Sequence, residues 1–309
     1  MIANRWEDWR RKTHMRIRLL GTGTPNPSLK RMSSGCLVES GEDVMVFDHG
    51  PGSFHRLLET GIDVTRVSHL FLSHLHYDHC LDYARLVLTR WDQAAGTIPE
   101  LKVYGPAHLR KMTDLLFGEG GVFDPDLIAR TRHEPSVQTY ISRGGTPPRQ
   151  CPAPQVQVLE HGTVINEQNW RLEVVSVPHA QPYLECFGFR LDTPEGSFAY
   201  SGDAGPSQDF VRLIRGCDVL VHMCHQLSGT QAGSEWARGA AGHLEVAQTA
   251  RDAGVRNLVL THIPEQMDVP GIREKVIWEV GEVFKGNVFW GEDLMEVPVK
   301  DPKPMKHKG

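Results

Sequence analysis

The chain has 309 residues, 40% hydrophobic and 23% charged, with 30 Gly and 20 Pro, the composition of an ordinary globular protein with many turns. Its formal net charge of −5 lacks the basic field of a non-specific nucleic-acid binder. No stretch approaches the ~20 apolar residues of a membrane span.

The N-terminal segment MIANRWEDWRRKTHMRIRLL is basic but has neither an uninterrupted apolar core nor a small-residue cleavage site. It does not read as a signal peptide, so a cytoplasmic location is expected. Six cysteines, at 36, 80, 151, 186, 217 and 224, form no C-x-x-C pattern and are read as mostly buried thiols. Cys80 and Cys224 lie close to the chemistry described below, and a thiolate role there is a minor alternative.

Met15 to Gly21 alternates like a strand and ends in the turn-rich GTGTP. Val44 to Gly52 (VMVFDHGPG) is a second strand and turn, with Asp48 leaving a buried run. Neither glycine loop fits a dinucleotide fingerprint, which argues against a nucleotide cofactor. Val67 to Ser73 (VSHLFLS) reads as a buried strand, and Leu81 to Trp91 carries apolar residues at helical spacing.

Between these two lies His74-Leu75-His76-Tyr77-Asp78-His79, an H-x-H-x-D-H cluster in a strand-to-helix loop. Three imidazoles and a carboxylate so close together are nitrogen and oxygen donors suited to a borderline divalent ion such as zinc. A lone histidine would be read as a polar loop residue; several converging donors would not.

A strand at Leu101 to Pro106 and a helix from His108 to Phe117 follow. Residues 118–152 are rich in Gly, Pro and Arg with weak periodicity, and are expected to form a lid, a dimer contact or an irregular excursion. The second half resumes strand-like runs at Val156 to Leu159, Leu172 to Val177, Phe187 to Asp192, Phe198 to Ser201 and Val219 to His222. A helix from His243 to Ala253 and a strand from Asn257 to Thr261 complete it, and residues 301–309 are expected to be disordered.

In this half His179, Asp203 and His262 each terminate an apolar run, as side chains pointing into a cleft at a sheet edge would. Strands in both halves with helices between them predict a mixed α/β sandwich, taken as one domain over residues 1–300.

With these residues in place the chain resembles the metallo-β-lactamase superfamily, and within it the ribonuclease Z and arylsulfatase branch. GTGTPNP, VMVFDHGPG, SHLHYDHCLD, VYGP, VPHA, AYSGDAG, GHLEVAQTA and LVLTHI fall in the family's order over roughly residues 15–297. The resemblance implies an αββα sandwich with two metal ions in a shallow cleft. His74, His76 and His179 would hold one zinc, Asp78, His79 and His262 the other, and Asp203 would bridge them. Zn2+ at two per chain is expected, with Mn2+ or Fe2+ as alternatives, and a homodimer is common among such proteins. A metal-bridging hydroxide would be the nucleophile, oriented by Asp78, with its proton affinity lowered toward neutrality by the ions. His243 matches a family position associated with proton donation to the leaving group.

The chain departs from the ribonuclease pattern in two places. The H-E-A-T motif is replaced by His222-Met223-Cys224-His225, so its acid is missing, with His225 or Glu245 as candidates to compensate. Only 23 residues separate His179 from Asp203, which leaves no room for the protruding arm of transfer-RNA-processing members.

These departures and the negative charge favour a small-molecule substrate over nucleic acid: an ester, lactone, cyclic amide, sulfate ester or phosphodiester. Tyr77, Tyr183, Met223 and His225 are the candidate substrate contacts, with Trp91 and Gln226 beside them, Trp91 being more simply explained as core. The alternative is a phosphodiesterase or ribonuclease Z-like nuclease. A diiron redox protein is disfavoured because such relatives carry Glu where His76 stands, and an inert binding module because no ligand position is lost.

Overall fold

The computed structural model describes residues 15–230 and 235–300, so the tail expected to be disordered lies outside the described residues. In the first half, strands β1 (Arg16–Gly21), β2 (Gly35–Ser40), β3 (Asp43–His49), β4 (Val67–Phe71), β5 (Lys102–Gly105) and β6 (Gln155–Val158) pair in chain order. The first three are antiparallel and the last four parallel, β3 belonging to both groups. Helices α1 (Ser53–Glu59), α2 (Tyr77–Cys80), α3 (Tyr83–Ala94), α4 (His108–Phe117), α5 (Asp124–Arg132) and α6 (Glu134–Ser142) connect them.

The second half repeats the plan. Strands β7 (Val164–Asn166), β8 (Arg171–Ser176), β9 (Phe187–Thr193) and β10 (Gly196–Tyr200) form an antiparallel meander, to which β11 (Val219–Met223), β12 (Asn257–Thr261) and β13 (Asn287–Trp290) add in parallel. Its helices are α7 (Gln208–Leu213), α8 (Glu235–Gly239), α9 (His243–Ala253) and α10 (Ile272–Val283). The last strand, β14 (Glu296–Val297), crosses back to pair with β1, giving two seven-stranded sheets.

Alternation explains the layers. In β3, Met45 and Phe47 face the second sheet, while Val44 and Val46 face the helices, so both faces are buried and the strand reads as one apolar run. Phe47 stacks on Phe71 of β4 at 4.8 Å and meets Phe198 of β10 edge-on at 5.1 Å, forming the seam between the sheets. A second core lies under α1, α3 and α4, and a third under α7, α9 and α10. The order helix, sheet, sheet, helix is the αββα sandwich that the sequence leads one to expect.

Of the three expectations for residues 118–152, the irregular excursion is corrected, because the segment contains two helices. α5 and α6 each carry proline in the first turn and acidic residues at the start, which favour helix initiation, although neither buries a full apolar stripe. Their hold on the body is polar: the Asp92 carboxylate accepts from Arg130, Arg143 and Arg149, and the Arg149 guanidinium lies 3.8 Å from the Trp91 ring centre. Trp91 is thereby accounted for by packing, with its indole N–H donating to the Gln150 carbonyl. Among the described residues no helix is long and apolar enough to cross a membrane.

Candidate metal centre

The parallel strands place their chemistry at one end. β4 runs into His74 and His76, α2 carries Asp78 and His79, and His179, Asp203 and His262 follow β8, β10 and β12 respectively. Gly50, after β3, lets the two halves of this loop cluster close, since a Cβ there would stand 1.8 Å from the Asp78 carbonyl oxygen.

Two sets of donors converge. His76 Nδ1 is 3.0 Å from His74 Nε2 and 3.2 Å from His179 Nε2. In the second set, Asp78 Oδ2 lies 3.4 Å from His79 Nε2 and 3.3 Å from His262 Nε2. Asp203 faces both: Oδ1 is 3.3 Å from His79 Nε2, while Oδ2 is 3.3 Å from His262 Nε2 and 3.6 Å from His179 Nε2. His74, His76, His179 and Asp203 form one group that could hold an ion, and Asp78, His79 and His262 another.

A second layer aims these rings inward. Asp48 accepts from the Ser73 amide at 2.7 Å, the Ser73 hydroxyl at 2.7 Å, His79 Nδ1 at 2.7 Å and the Tyr200 hydroxyl at 2.9 Å. Ser73 in turn accepts from His74 Nδ1 at 3.0 Å, so both His74 and His79 are held with Nε2 turned toward the cluster. His179 donates Nδ1–H to the Gly239 carbonyl at 2.8 Å, and His262 Nδ1 is 3.0 Å from His225 Nδ1.

The electrostatics have the form of a cation site. Burial, reinforced by His79, holds His74 well below the ordinary imidazole range, and burial with His179 lowers His76. Burial opposes charge on His79, yet Asp203 and Asp48 hold its pKa well above the usual value. Burial likewise disfavours ionisation of Asp203, but His262 and His79 keep it well below the normal carboxylate range. The positive charge that these carboxylates favour is one a divalent ion supplies better than a proton. His79 Nε2 and Asp203 Oδ1 are buried without a hydrogen-bond partner, a cost that coordination removes. The donor set is imidazole and carboxylate, which fits zinc. Cys80 donates to the His76 carbonyl, and burial pushes both Cys80 and Cys224 up to about 12, so neither thiol joins the donors.

A cavity of about 290 Å³ opens over His76, His179, Asp203 and His262. Met223 and His225 line it, together with Pro25, Ala180, Trp236, Gly239 and Ala240. Tyr77 and Tyr183 do not. Tyr77 is half-exposed with its hydroxyl on the Pro25 carbonyl, and Tyr183 is almost fully exposed. Gln226 is occupied with the Ala240 carbonyl.

His243, expected as proton donor, has a different setting. Its Nδ1 accepts from the Ser228 amide at 3.0 Å and its Nε2 donates to Glu279 at 2.8 Å, so both nitrogens are engaged and the buried ring does not line the cavity. Glu245 binds the Ser228 hydroxyl rather than replacing the missing motif acid.

Asp48, Tyr200 and Glu279 as partners, and Trp236 altogether, emerge only from the structure. Asp48 had left one signal, a carboxylate ending a fully buried strand.

A model of the Beta-lactamase superfamily domain matches residues 45–263, well over half of the chain. The chain belongs to the beta-lactamase superfamily. With relatives named Ribonuclease Z matching over nearly its whole length, this chain is a metal-dependent hydrolase. Ribonuclease Z of Mycobacterium sp. (strain KMS) is 28% identical over 288 residues, covering 92% of this chain and 95% of that protein. Among solved structures, the metallo-beta-lactamase fold protein YhfI from Bacillus subtilis superposes with a TM-score of 0.70 at 18% identity, covering 92% of this chain and 99% of that one. Human tRNase Z, short form, gives 0.64 at 19% identity, with the same coverage of 92% and 99%.

These relatives correct one expectation. A small-molecule substrate favoured over nucleic acid does not agree with near full-length similarity to proteins named Ribonuclease Z, which sides with the nuclease alternative. The formal charge of −5 misled because it averages the surface and omits any bound ions, which in a superfamily site are the largest local charges.

Proposed function

We propose that the protein is a dinuclear-zinc phosphodiesterase that cleaves RNA. One observation carries the reading: in a chain aligned over 92% of its length with Ribonuclease Z, Asp203 lies within 3.3–3.6 Å of histidines from both donor sets. Zinc ions held by His74, His76 and His179 and by Asp78, His79 and His262, with Asp203 between them, would activate water and polarise the phosphoryl group.

The chain's own residues then have separable tasks. Asp78 stays ionised because burial is outweighed by His262 and His79, and its carboxylate orients the attacking water. Asp48 fixes the tautomers of His74 and His79 through Ser73 and directly. His243 ties the Ser228 loop to α10 rather than meeting the leaving group, since both its nitrogens are engaged.

The test is cleavage of a short 3′-extended RNA and of bis(p-nitrophenyl) phosphate by zinc-replete protein. Both are expected to be cleaved, and His76→Ala is expected to lose zinc and at least ~10³-fold in rate, because a donor central to one ion is gone. Turnover of lactones or aryl sulfates without any phosphodiester cleavage would refute the assignment.

A further inference from the structure

The cavity over the donor cluster has two unlike ends. One is made by His76, His179, Asp203 and His262; the other by Pro25, Ala180, Met223, His225, Trp236 and Ala240. Among the described residues, the second group brings no charged Lys, Arg, Asp or Glu side chain. That end is lined by apolar and aromatic side chains rather than by cationic ones.

Trp236 is the informative member. It sits on the short helix α8, its side chain is half-exposed, and its ring centre stands 5.5 Å from that of His225 at an interplanar angle of 56°. A large aromatic side chain left half in solvent at the mouth of a cavity contributes little to the core. It offers a stacking face to whatever enters.

His225 is fixed behind it. Its backbone N–H donates to the Ala241 carbonyl at 3.1 Å and its ring meets His262. Met223 is almost wholly buried, its sulfur 2.8 Å from the Ala204 amide, and forms the floor. At about 290 Å³ the space is near the lower limit of ~300–1,000 Å³ for small-molecule sites, enough for one nucleoside and not for a helical stack.

We propose that this pocket is a nucleobase subsite in which the base next to the scissile phosphate stacks on Trp236, making Trp236 a specificity-determining residue. The inference rests on the phosphodiesterase reading for the identity of the ester, but the subsite is tested by binding alone. A stacked base sets selectivity for nucleotides over sugar phosphates, since every base has a π-face and a bare ribose has none.

The experiment titrates zinc-replete protein with adenosine 5′-monophosphate and with ribose 5-phosphate by calorimetry, in wild type, Trp236→Ala and Trp236→Phe, with zinc content measured for each. Wild type is expected to prefer the nucleotide by about tenfold or more, Trp236→Ala to bring the ratio near one, and Trp236→Phe to restore most of it, at equal zinc content. A wild-type ratio near one, or a ratio that survives Trp236→Ala, overturns the subsite. A companion assay separates the two readings: RNA carrying an abasic residue beside the cleavage point is expected to be cut at least tenfold more slowly than intact RNA. Equal cleavage of both RNAs sinks the subsite and leaves the nuclease reading standing. Selective binding that depends on Trp236, without cleavage of any RNA, does the reverse.

Discussion

Asp48 concentrates more of the site's order than any ligand. One carboxylate collects four hydrogen bonds, from the Ser73 amide and hydroxyl, His79 and Tyr200, and does so from a left-handed backbone with φ of 55°. Such a conformation is uncommon outside glycine but tolerated by Asp and Asn, so Asp48→Asn tests the charge with little change to the backbone. An amide nitrogen cannot accept, so at least one of these donors loses its partner. Zinc affinity, measured by competition with a chromogenic chelator, is expected to fall by about 10–100-fold. Unchanged affinity would mean that the ligand rings are oriented by packing alone. The candidate ligands are legible in the sequence because each stands next to a recognisable strand. Asp48 as their support was not, because its partners come from β10 and the loop after β4.

Strand ends and the loops between them set what the site can bind. The segment 226–242 runs from β11 to α9 and supplies the Gly239 carbonyl to His179. A Cβ at Gly239 would stand 2.2 Å from the His179 carbonyl oxygen, so the close approach requires glycine. The segment is anchored at its base by His243, through the Ser228 amide and Glu279 of α10. His243→Ala is therefore expected to speed hydrogen exchange at the Ser228 amide and its described neighbours, 226–230, and to weaken zinc binding through His179. If exchange stays unchanged while turnover alone collapses, with loss of one limb of the pH–rate profile, proton donation by His243 regains its place. The sequence pattern identified α9 and its histidine but not α10, so the partner that occupies the ring was out of view. The reverse holds at 118–152, where weak periodicity concealed α5 and α6, because their anchorage is an arginine cluster on Asp92 rather than an apolar stripe.

For the whole molecule, buried histidines outside the ligand set make stability depend on pH. Burial, then Arg85, lowers His49 to about 3, and burial lowers His222 to about 4, although its Nδ1 donates to the Met223 carbonyl. Both pKa values lie below the unfolded value near 6.5, so the unfolded chain binds more protons as pH falls. Their contribution is complete above pH 6.5 and is lost between 6.5 and about 4 for His222 and about 3 for His49. Urea unfolding at pH 7, 6 and 5 in excess chelator should show this decline. His222→Gln should flatten it by up to one proton, or roughly 1.4 kcal/mol per pH unit. An unaltered slope would show that His222 is not a titrating group of the unfolding transition.

The sequence by itself determined a mixed α/β sandwich and the candidate ligands, because strand alternation and the H-x-H-x-D-H spacing are local and survive in one dimension; the αββα order came only with the family resemblance. Tertiary structure decided what stands behind and above those ligands: Asp48 under the rings, Glu279 on His243, and Trp236 over the cavity. These depend on side chains distant in the chain meeting at the ends of two sheets. Whole-chain charge could not anticipate the substrate either, since the field at the site is set by a few buried donors and the ions they would hold, not by the sum over 309 residues.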